Sequence, residues 1–589
     1  MRRPLLSLVL LILSLAPALG VAAAGNLISW EPWSDGVFER AKRENKFVIL
    51  DMEAVWCHWC HVMDEKTYAN PDVAKLMGER YIAVKVDQDS NPDLSRRYEN
   101  YGWPATIVFD GTGQEIVKRR GYLAPERMIS MLKAIINDPS PILYSDSKPV
   151  TEFADKPLLE DKLRMVLQKR FIETSDQKIG GLVQAQKFLD RDLVEYAMLR
   201  GAQGDKQALK IARVNLDNAT RIIDPVWGGA YQYSTDGDWA HPHFEKIMEI
   251  QAGYLRMYAQ AYARYHDPAY LKAALDIQRY IRDFLTSPDG AFYTSQDADL
   301  VKGQHGGEYF SLSDKERRKL GMPAIDKHIY ARENGWMIYA LTLLYSATGD
   351  QTHLDAALKA TDWVVKHRGL AGGGFSHGET DKGGPYLDDT LAMARAFLSL
   401  YTVTADKQWL GRAEQAAAFI ETHFKASAGY LTSEYKGGIL KPQHNVDENI
   451  AMARFANLLV YHTGQQDYRK TADHAMRYLV TEDVALFRRT EAGILIADIE
   501  LKSEPPHITI VGHKDDPEAQ ALFLSALAYP GIYRRVEWWD KREGELPNPD
   551  VQYPQLSRAA AFACSNNTCS LPVFKTTEIA AMVDRLNLQ

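Results

Sequence analysis

The chain has 589 residues, a net charge of −8 and four cysteines. Domains usually run roughly 50 to 250 residues, so two or three are expected, and a composition of 46% hydrophobic and 25% charged residues excludes a disordered, collagen-like or polytopic membrane chain. With an acidic balance and no long Lys/Arg run, the electrostatic footprint of a nucleic-acid binder is missing, and no nucleic-acid partner is expected.

Residues 1–24 begin with Arg2 and Arg3, continue through an apolar stretch from Leu5 to Ala16 and end in Ala22-Ala23-Ala24. This is the pattern of a cleaved secretory signal, and the apolar run falls short of the ~20 residues that span a bilayer. The expectation is a secreted or periplasmic protein with no membrane span after cleavage, in a compartment that permits disulfides.

A redox domain is expected over 26–140. Val37 to Lys46 has helical periodicity, and Phe47-Val48-Ile49-Leu50 is the short apolar run of a buried strand. Cys57-His58-Trp59-Cys60-His61 follows and opens a helical stretch broken at Asn70-Pro71. Tyr81 to Val86 predicts a second strand, Asp93 to Tyr98 a short helix and Ala105 to Phe109 a third strand. Asp110-Gly111-Thr112-Gly113 turns into Gln114 to Lys118, and Pro125 to Ile136 is helical. A C-x-x-C between strand and helix in this order gives a thioredoxin-like fold.

A cysteine at a helix start meets the positive end of the helix dipole, which favours thiolate. Cys57 is therefore the candidate attacking thiol and Cys60 the resolving one, a two-electron pair for exchange with protein thiols or disulfides. His58 and His61, when protonated, favour thiolate further. Asp51 occupies the place of the buried carboxylate that thioredoxins use as a proton relay, and Trp103-Pro104 that of the cis-proline facing the cysteines. Other readings of the motif are a haem c attachment site, since the run is literally C-x-x-C-H, a zinc site, which lacks a second ligand pair at finger-like spacing, and a static disulfide. No metal and no cofactor are expected.

Trp33, Ala41-Lys42-Arg43-Glu44-Asn45-Lys46, Cys57 to Met63, Gly102-Trp103-Pro104, His243-Phe244-Glu245-Lys246, Asp297-Ala298-Asp299, and Cys564 to Cys569 with Leu571-Pro572 resemble segments of the spermatogenesis-associated protein 20-like thioredoxin-domain family. The resemblance covers most of the chain and implies a thioredoxin-like domain joined to a helical one. The chain departs from the family after Pro104, where it runs to Gly121-Tyr122 without the longer insert.

Beyond a linker at 141–156, Gly181-Leu182, Gly229-Ala230, Gly290-Ala291, Gly374-Phe375, Gly429-Tyr430 and Gly493-Ile494 predict six similar turns. Each interval holds amphipathic helices, such as Lys246 to Tyr265 and Ala269 to Phe284, and Ala392-Met393-Ala394-Arg395 recurs as Ala451-Met452-Ala453-Arg454. An all-α (α/α)6 toroid over 157–500 is expected, with its closing helix reaching at most 530. Such toroids resemble the six-hairpin glycosidases and sugar epimerases, so carbohydrate is a candidate ligand. Trp239, His241, His243, Glu245, Asp297, Asp299, His305, Glu308, Asp388, Asp389, Asp447, Glu448 and Asn449 are candidates to line its pocket. Paired carboxylates there serve as acid and base on a glycosidic bond, whereas acids at helix starts are commonly capping residues. Capping and polar lining are favoured over catalysis.

Residues 501–589 predict a small α/β cap with a strand at His507 to Val511, a helix at Pro517 to Leu527, a strand at Ala559 to Cys564 and a closing helix near Thr577 to Leu586. Cys564 and Cys569 close a short loop, either a disulfide staple or a second redox pair that approaches Cys57 and Cys60. The expected function is that of an exported thiol-disulfide oxidoreductase with a helical domain for carbohydrate or a partner protein. The alternative is a carbohydrate-active toroid with an accessory redox domain.

Overall fold

The computed structural model describes residues 27–142, 150–381, 383–565 and 568–587. The expected signal at 1–24 and residues 143–149 of the linker lie outside them. Among the described residues, no helix is long and apolar enough to cross a membrane.

The first unit contains α1 (Gly36–Glu44), β1 (Phe47–Glu53), α2 (His58–Met63), α3 (Pro71–Arg80), β2 (Tyr81–Asp87), α4 (Pro92–Tyr98), β3 (Ala105–Phe109), β4 (Glu115–Arg120) and α5 (Pro125–Asn137). Its sheet runs β2-β1-β3-β4, with β1 parallel to β2 and antiparallel to β3. Side chains alternate across a strand, so Val48 and Leu50 pack with Phe38 and Phe109 on one face, while Ile49 packs with Met63, Met77 and Leu132 on the other. Burial on both faces is why β1 starts as an unbroken apolar run. Helix α2 ends in a π-helical turn at Asp64–Tyr68, and the side chain of Asn70 then caps α3.

The second unit begins with α6 (Asp161–Thr174), α7 (Arg191–Ala202), α8 (Lys206–Ala219), α9 (Met248–Tyr265) and α10 (Pro268–Phe284). Short elements lie between these helices and the next: β5 (Tyr233–Ser234), β6 (Pro242–His243), β7 (Lys246–Ile247), β8 (Ser295–Gln296), α11 (Gly307–Phe310), α12 (Asp314–Leu320) and β9 (Ile325–Asp326). It continues with α13 (Ala331–Thr348), α14 (Gln351–Arg368), α15 (Leu387–Thr404), α16 (Lys407–His423), α17 (Val446–Thr463), α18 (Asp467–Leu479), α19 (Glu482–Ala485) and α20 (Ala492–Lys502).

Helices α7, α9, α13, α15, α17 and α20 each pack on the next, and α20 returns to α7, so they close an inner ring. Helices α8, α10, α14, α16, α18 and α6 back them from outside. Inner helices are apolar on nearly every side, as α13 illustrates with Met337, Ile338, Ala340, Leu341 and Leu344 all buried. The outer α10 buries one stripe, Ala273, Ala274, Ile277, Tyr280 and Ile281.

Five of the six expected glycine turns join an outer helix to the next inner one, each beside a β-bridge such as Ile223 to Ala230 or Lys425 to Tyr430. A polar residue in the same place on four inner helices binds the chain just past the turn. Gln251, Asn334, Thr390 and Asn449 accept from the N–H of Ala230, Phe292, Phe375 and Tyr430. The sixth turn is corrected: Gly493 lies inside α20, where a Cβ would come within 2.3 Å of an Asp192 oxygen. Lys246 and Ile247, expected at the start of a helix, form β7.

The third unit contains β10 (His507–Val511), α21 (Pro517–Leu527), β11 (Arg535–Trp539), β12 (Ala560–Ser565), β13 (Thr568–Cys569) and α22 (Ile579–Asn587). Strands β11 and β13 had no forecast in the sequence. The sheet order β11-β10-β12-β13, with one parallel pair and two antiparallel ones, repeats the order and directions of β2-β1-β3-β4. This unit packs on α13, α15 and α17.

Candidate functional site

Cys57 caps α2, its sulfur accepts the N–H of Cys60 at 3.1 Å, and the two cysteines are joined in a disulfide. The bond preceding Pro104 is cis, and Trp103 packs against the cysteines with Trp56. Asp51 is buried behind them, 3.4 Å from the Lys85 ammonium, which also reaches Glu53 and Asp64. Burial outweighs the lysine and raises the Asp51 carboxyl to about 7. Lys85 thus fills the space among three carboxylates that would otherwise suit a cation.

The disulfide faces the second unit rather than solvent. Cys57 and Cys60 are each 3% exposed, packed with Ile247 of β7 and Ile250 in the first turn of α9, while the neighbouring Trp59 is 42% exposed. His58 Nδ1 lies 2.8 and 3.0 Å from the two oxygens of Asp299, and His61 Nδ1 lies 3.1 Å from one of them. His61 Nε2 faces the Val55 carbonyl at 3.2 Å and Asp297 at 3.7 Å. Both nitrogens of His61 therefore meet oxygens, an arrangement that only the doubly protonated ring satisfies as a donor.

Burial opposes charge on His61, but the hydrogen bond to Asp299 and the field of Asp297 prevail and raise its pKa. Burial likewise opposes the Asp299 charge, and the two histidines overcome it, holding that carboxyl below its ordinary range. Asp297, with weaker help, is raised by burial to about 6. The His61, Asp297 and Asp299 ligand atoms lie within 4.8 Å of one another, a donor set that suits zinc, although each oxygen already faces a nitrogen of the protein.

Around this centre, His305 meets the His58 ring at 5.8 Å, and His243 stacks on Tyr233. Burial, with the charges of His58 and His305, lowers His243 to about 4. Glu245 is buried with Oε2 lacking a hydrogen bond, and burial raises it to about 7.

The remaining expected pocket residues separate into two groups. Asp388 and Glu448 begin α15 and α17, and both are held by Arg96 of α4, at 2.8 and 3.2 Å. Asp389 accepts from the Arg332 N–H and from His377, whose other nitrogen reaches the Asp89 carbonyl in the first unit. These acids are docking partners for the thioredoxin-like unit rather than caps with a side-chain bond to their own helix. Trp239 is a core residue that donates to Ile179, and His241 is solvent-facing and held by Asp238, so neither joins the centre. Cys564 and Cys569 are paired directly across β12 and β13 and disulfide-bonded. Their unit sits at the C-terminal ends of the inner helices and the first unit at the N-terminal ends, so the two cysteine pairs occupy opposite ends of the toroid.

Arg96, Asp89 and His377 had no signal in the sequence. Each is an ordinary residue whose partner across the interface is hundreds of positions away.

The family model for the thioredoxin-like DsbH proteins, described as a protein of unknown function, DUF255, matches residues 14–153. Human spermatogenesis-associated protein 20 is 27% identical over 338 residues, 50% of this chain and 43% of its own, so the chain spans less than half the length of that relative. The thiol:disulfide interchange protein DsbD 2 of Pseudomonas aeruginosa is 37% identical over 83 residues, 14% of each chain. A solved sugar epimerase from a ruminal bacterium matches 54% of this chain and 85% of its own at 16% identity, with a TM-score of 0.43. The chain is thus similar over about half its length to spermatogenesis-associated protein 20, and it joins a thioredoxin-like domain that matches the DsbH-type model to a six-hairpin helical toroid.

Proposed function

We propose that this protein is an exported thiol-disulfide oxidoreductase whose Cys57/Cys60 pair exchanges with thiols or disulfides of other proteins, and whose toroid controls access to that pair. In the reductive direction the Cys57 thiolate attacks a partner disulfide and one partner sulfur leaves as thiolate. Cys60 then attacks the Cys57 sulfur, which releases the second partner thiol and forms the Cys57–Cys60 bond, so two electrons pass to the partner. The Cys60 N–H at 3.1 Å from the Cys57 sulfur stabilises a thiolate there. Asp51, raised to about 7 by burial, is suited to take or give a proton behind the pair.

The observation that carries this reading is a disulfide at the head of α2 with the cis Pro104 segment beside it. Its burial against Ile247 and Ile250 adds the control: exchange with a protein requires the first unit to lift from the toroid mouth. The alternative, a carbohydrate-active toroid, is less well supported because Asp388 and Glu448 are engaged by Arg96.

The test is glutathione equilibration of the signal-free chain with Cys564 and Cys569 changed to Ser, with thiols counted by mass spectrometry and mixed disulfides trapped in Cys60→Ser. A potential between about −270 and −120 mV with trapped partners is expected. A pair that neither equilibrates nor traps a partner refutes the reading.

A further inference from the structure

The toroid has a second mouth. At the C-terminal ends of the inner helices a cavity of about 650 Å³, counting its open entrance, lies between the ring and the third unit. Its polar wall includes Tyr339, Ser346, Ser399, Arg395, Arg454 and Arg534, with the Glu500 carboxylate beside Arg454. Arg534 comes from the segment between α21 and β11, and it also borders a smaller cavity alongside.

The charges around this space do not balance. Arg454 is paired with Glu195 and Glu500, and Arg256 lies within 4.0 Å of Glu195 and Asp192. Among the described residues, neither Arg395 nor Arg534 has a carboxylate within salt-bridge distance, although Arg395 is near enough to Glu195 and Glu500 for its charge to act on both. Arg395 rests on the face of Tyr339, 5.0 Å from the ring centre. Arg534 is 6% exposed, and one of its nitrogens donates to the Tyr529 carbonyl. A guanidinium carries five donors, and burying its charge without a counter-charge is unfavourable. Burial lowers the Arg534 pKa to about 10, opposed only by Tyr339 and Tyr529 and by no carboxylate.

We propose that this cavity binds a small organic anion, a polar molecule bearing a carboxylate or phosphate group, with Arg534 and Arg395 holding the charged end. A planar fork of donors matches either oxyanion. The hydroxyls of Ser346, Ser399 and Tyr339 offer hydrogen bonds to the rest of a polar ligand. The site is distinct from the cysteine centre, which lies at the other end of the inner helices.

Glucuronate, glucose 6-phosphate and glucose are titrated against the full signal-free chain by calorimetry, alongside Arg534→Met and Arg395→Gln. Saturable binding is expected for one or both anions, at least tenfold weaker in each variant, with glucose at least tenfold weaker than the better anion. The anion bound more tightly identifies carboxylate or phosphate as the recognised group. Arg534→Met is expected to melt no lower than the parent without ligand, because it removes an uncompensated buried charge, and to keep the parent's exchange rate at Cys57/Cys60. Equal binding of glucose, no binding of either anion at 10 mM, or unchanged affinity in folded variants would overturn the proposal. A ligand-free Arg534→Met that unfolds, while Arg395→Gln folds and binds like the parent, also overturns it.

Discussion

Changing Asp299 to Asn tests whether the toroid holds the disulfide shut. The Asp299 side chain is fully buried and contacts His58 and His61 across the interface at 2.8 and 3.1 Å. Asn keeps the shape and removes the charge. Breaking a buried pair by removing one partner costs about 3–5 kcal/mol. Because each ~1.4 kcal/mol is a factor of ten, the lower figure raises the undocked population about a hundredfold. A disulfide 3% exposed reacts with a soluble reductant only when undocked, so its reduction should accelerate by a similar factor. The assay is the second-order rate of reduction by dithiothreitol at pH 6, followed by alkylation and mass spectrometry. A rate within threefold of the parent would refute the gate.

The same contacts set a pH dependence. Asp299 has a lowered pKa, so its contribution to docking is present above about 4 and is lost as pH falls through the lowered value. His61 has a raised pKa, so its contribution is full below about 6.5 and is lost as pH rises through the raised value. Docking is therefore tightest in mildly acidic solution. In the parent, reduction should rise with pH more steeply than reductant ionisation alone gives, and Asp299→Asn should flatten the excess.

Glu245→Gln should stabilise the chain most at high pH. The buried acid is raised to about 7, so its ionisation opposes folding increasingly from about pH 4 upward, by about 1 kcal/mol at pH 5 and about 3 kcal/mol at pH 8. Scanning calorimetry should show a larger rise in melting temperature at pH 8 than at pH 5, and equal rises would contradict the buried-charge account. Replacing both Cys564 and Cys569 with Ser opens a loop of about six residues, for which chain entropy gives about 2 kcal/mol of lost stability. Melting should drop by a few degrees while the Cys57/Cys60 potential stays unchanged, and a shifted potential would instead indicate electron transfer between the two ends.

Much of the architecture is written locally. Phe47 to Leu50, the C-x-x-C, Trp103-Pro104 and the turn at Asp110 to Gly113 set the first unit because strand burial, helix capping and turn chemistry act over a few residues. Five glycine turns likewise marked the toroid hairpins. Gly493 misled because a glycine followed by an apolar residue also fits where two inner helices approach closely, and only packing tells the cases apart. His58, His61, Asp297, Asp299 and Glu245 were each legible as polar residues suited to chemistry, but Asp388 and Glu448 resembled capping acids until Arg96 was seen between them.

The sequence by itself determined the C-x-x-C pair at the head of a helix, the order of the three units and the periodicity of the helices, since these depend on neighbours a few positions apart. Tertiary structure alone decided that the pair is covered, that its histidines share Asp299 from a segment 238 to 241 residues away, and that two arginines at the far mouth have no carboxylate at salt-bridge distance among the described residues. The physical reason is that Coulomb energy and desolvation depend on distance and burial in space, which ring closure brings about between residues with no local relationship in the chain.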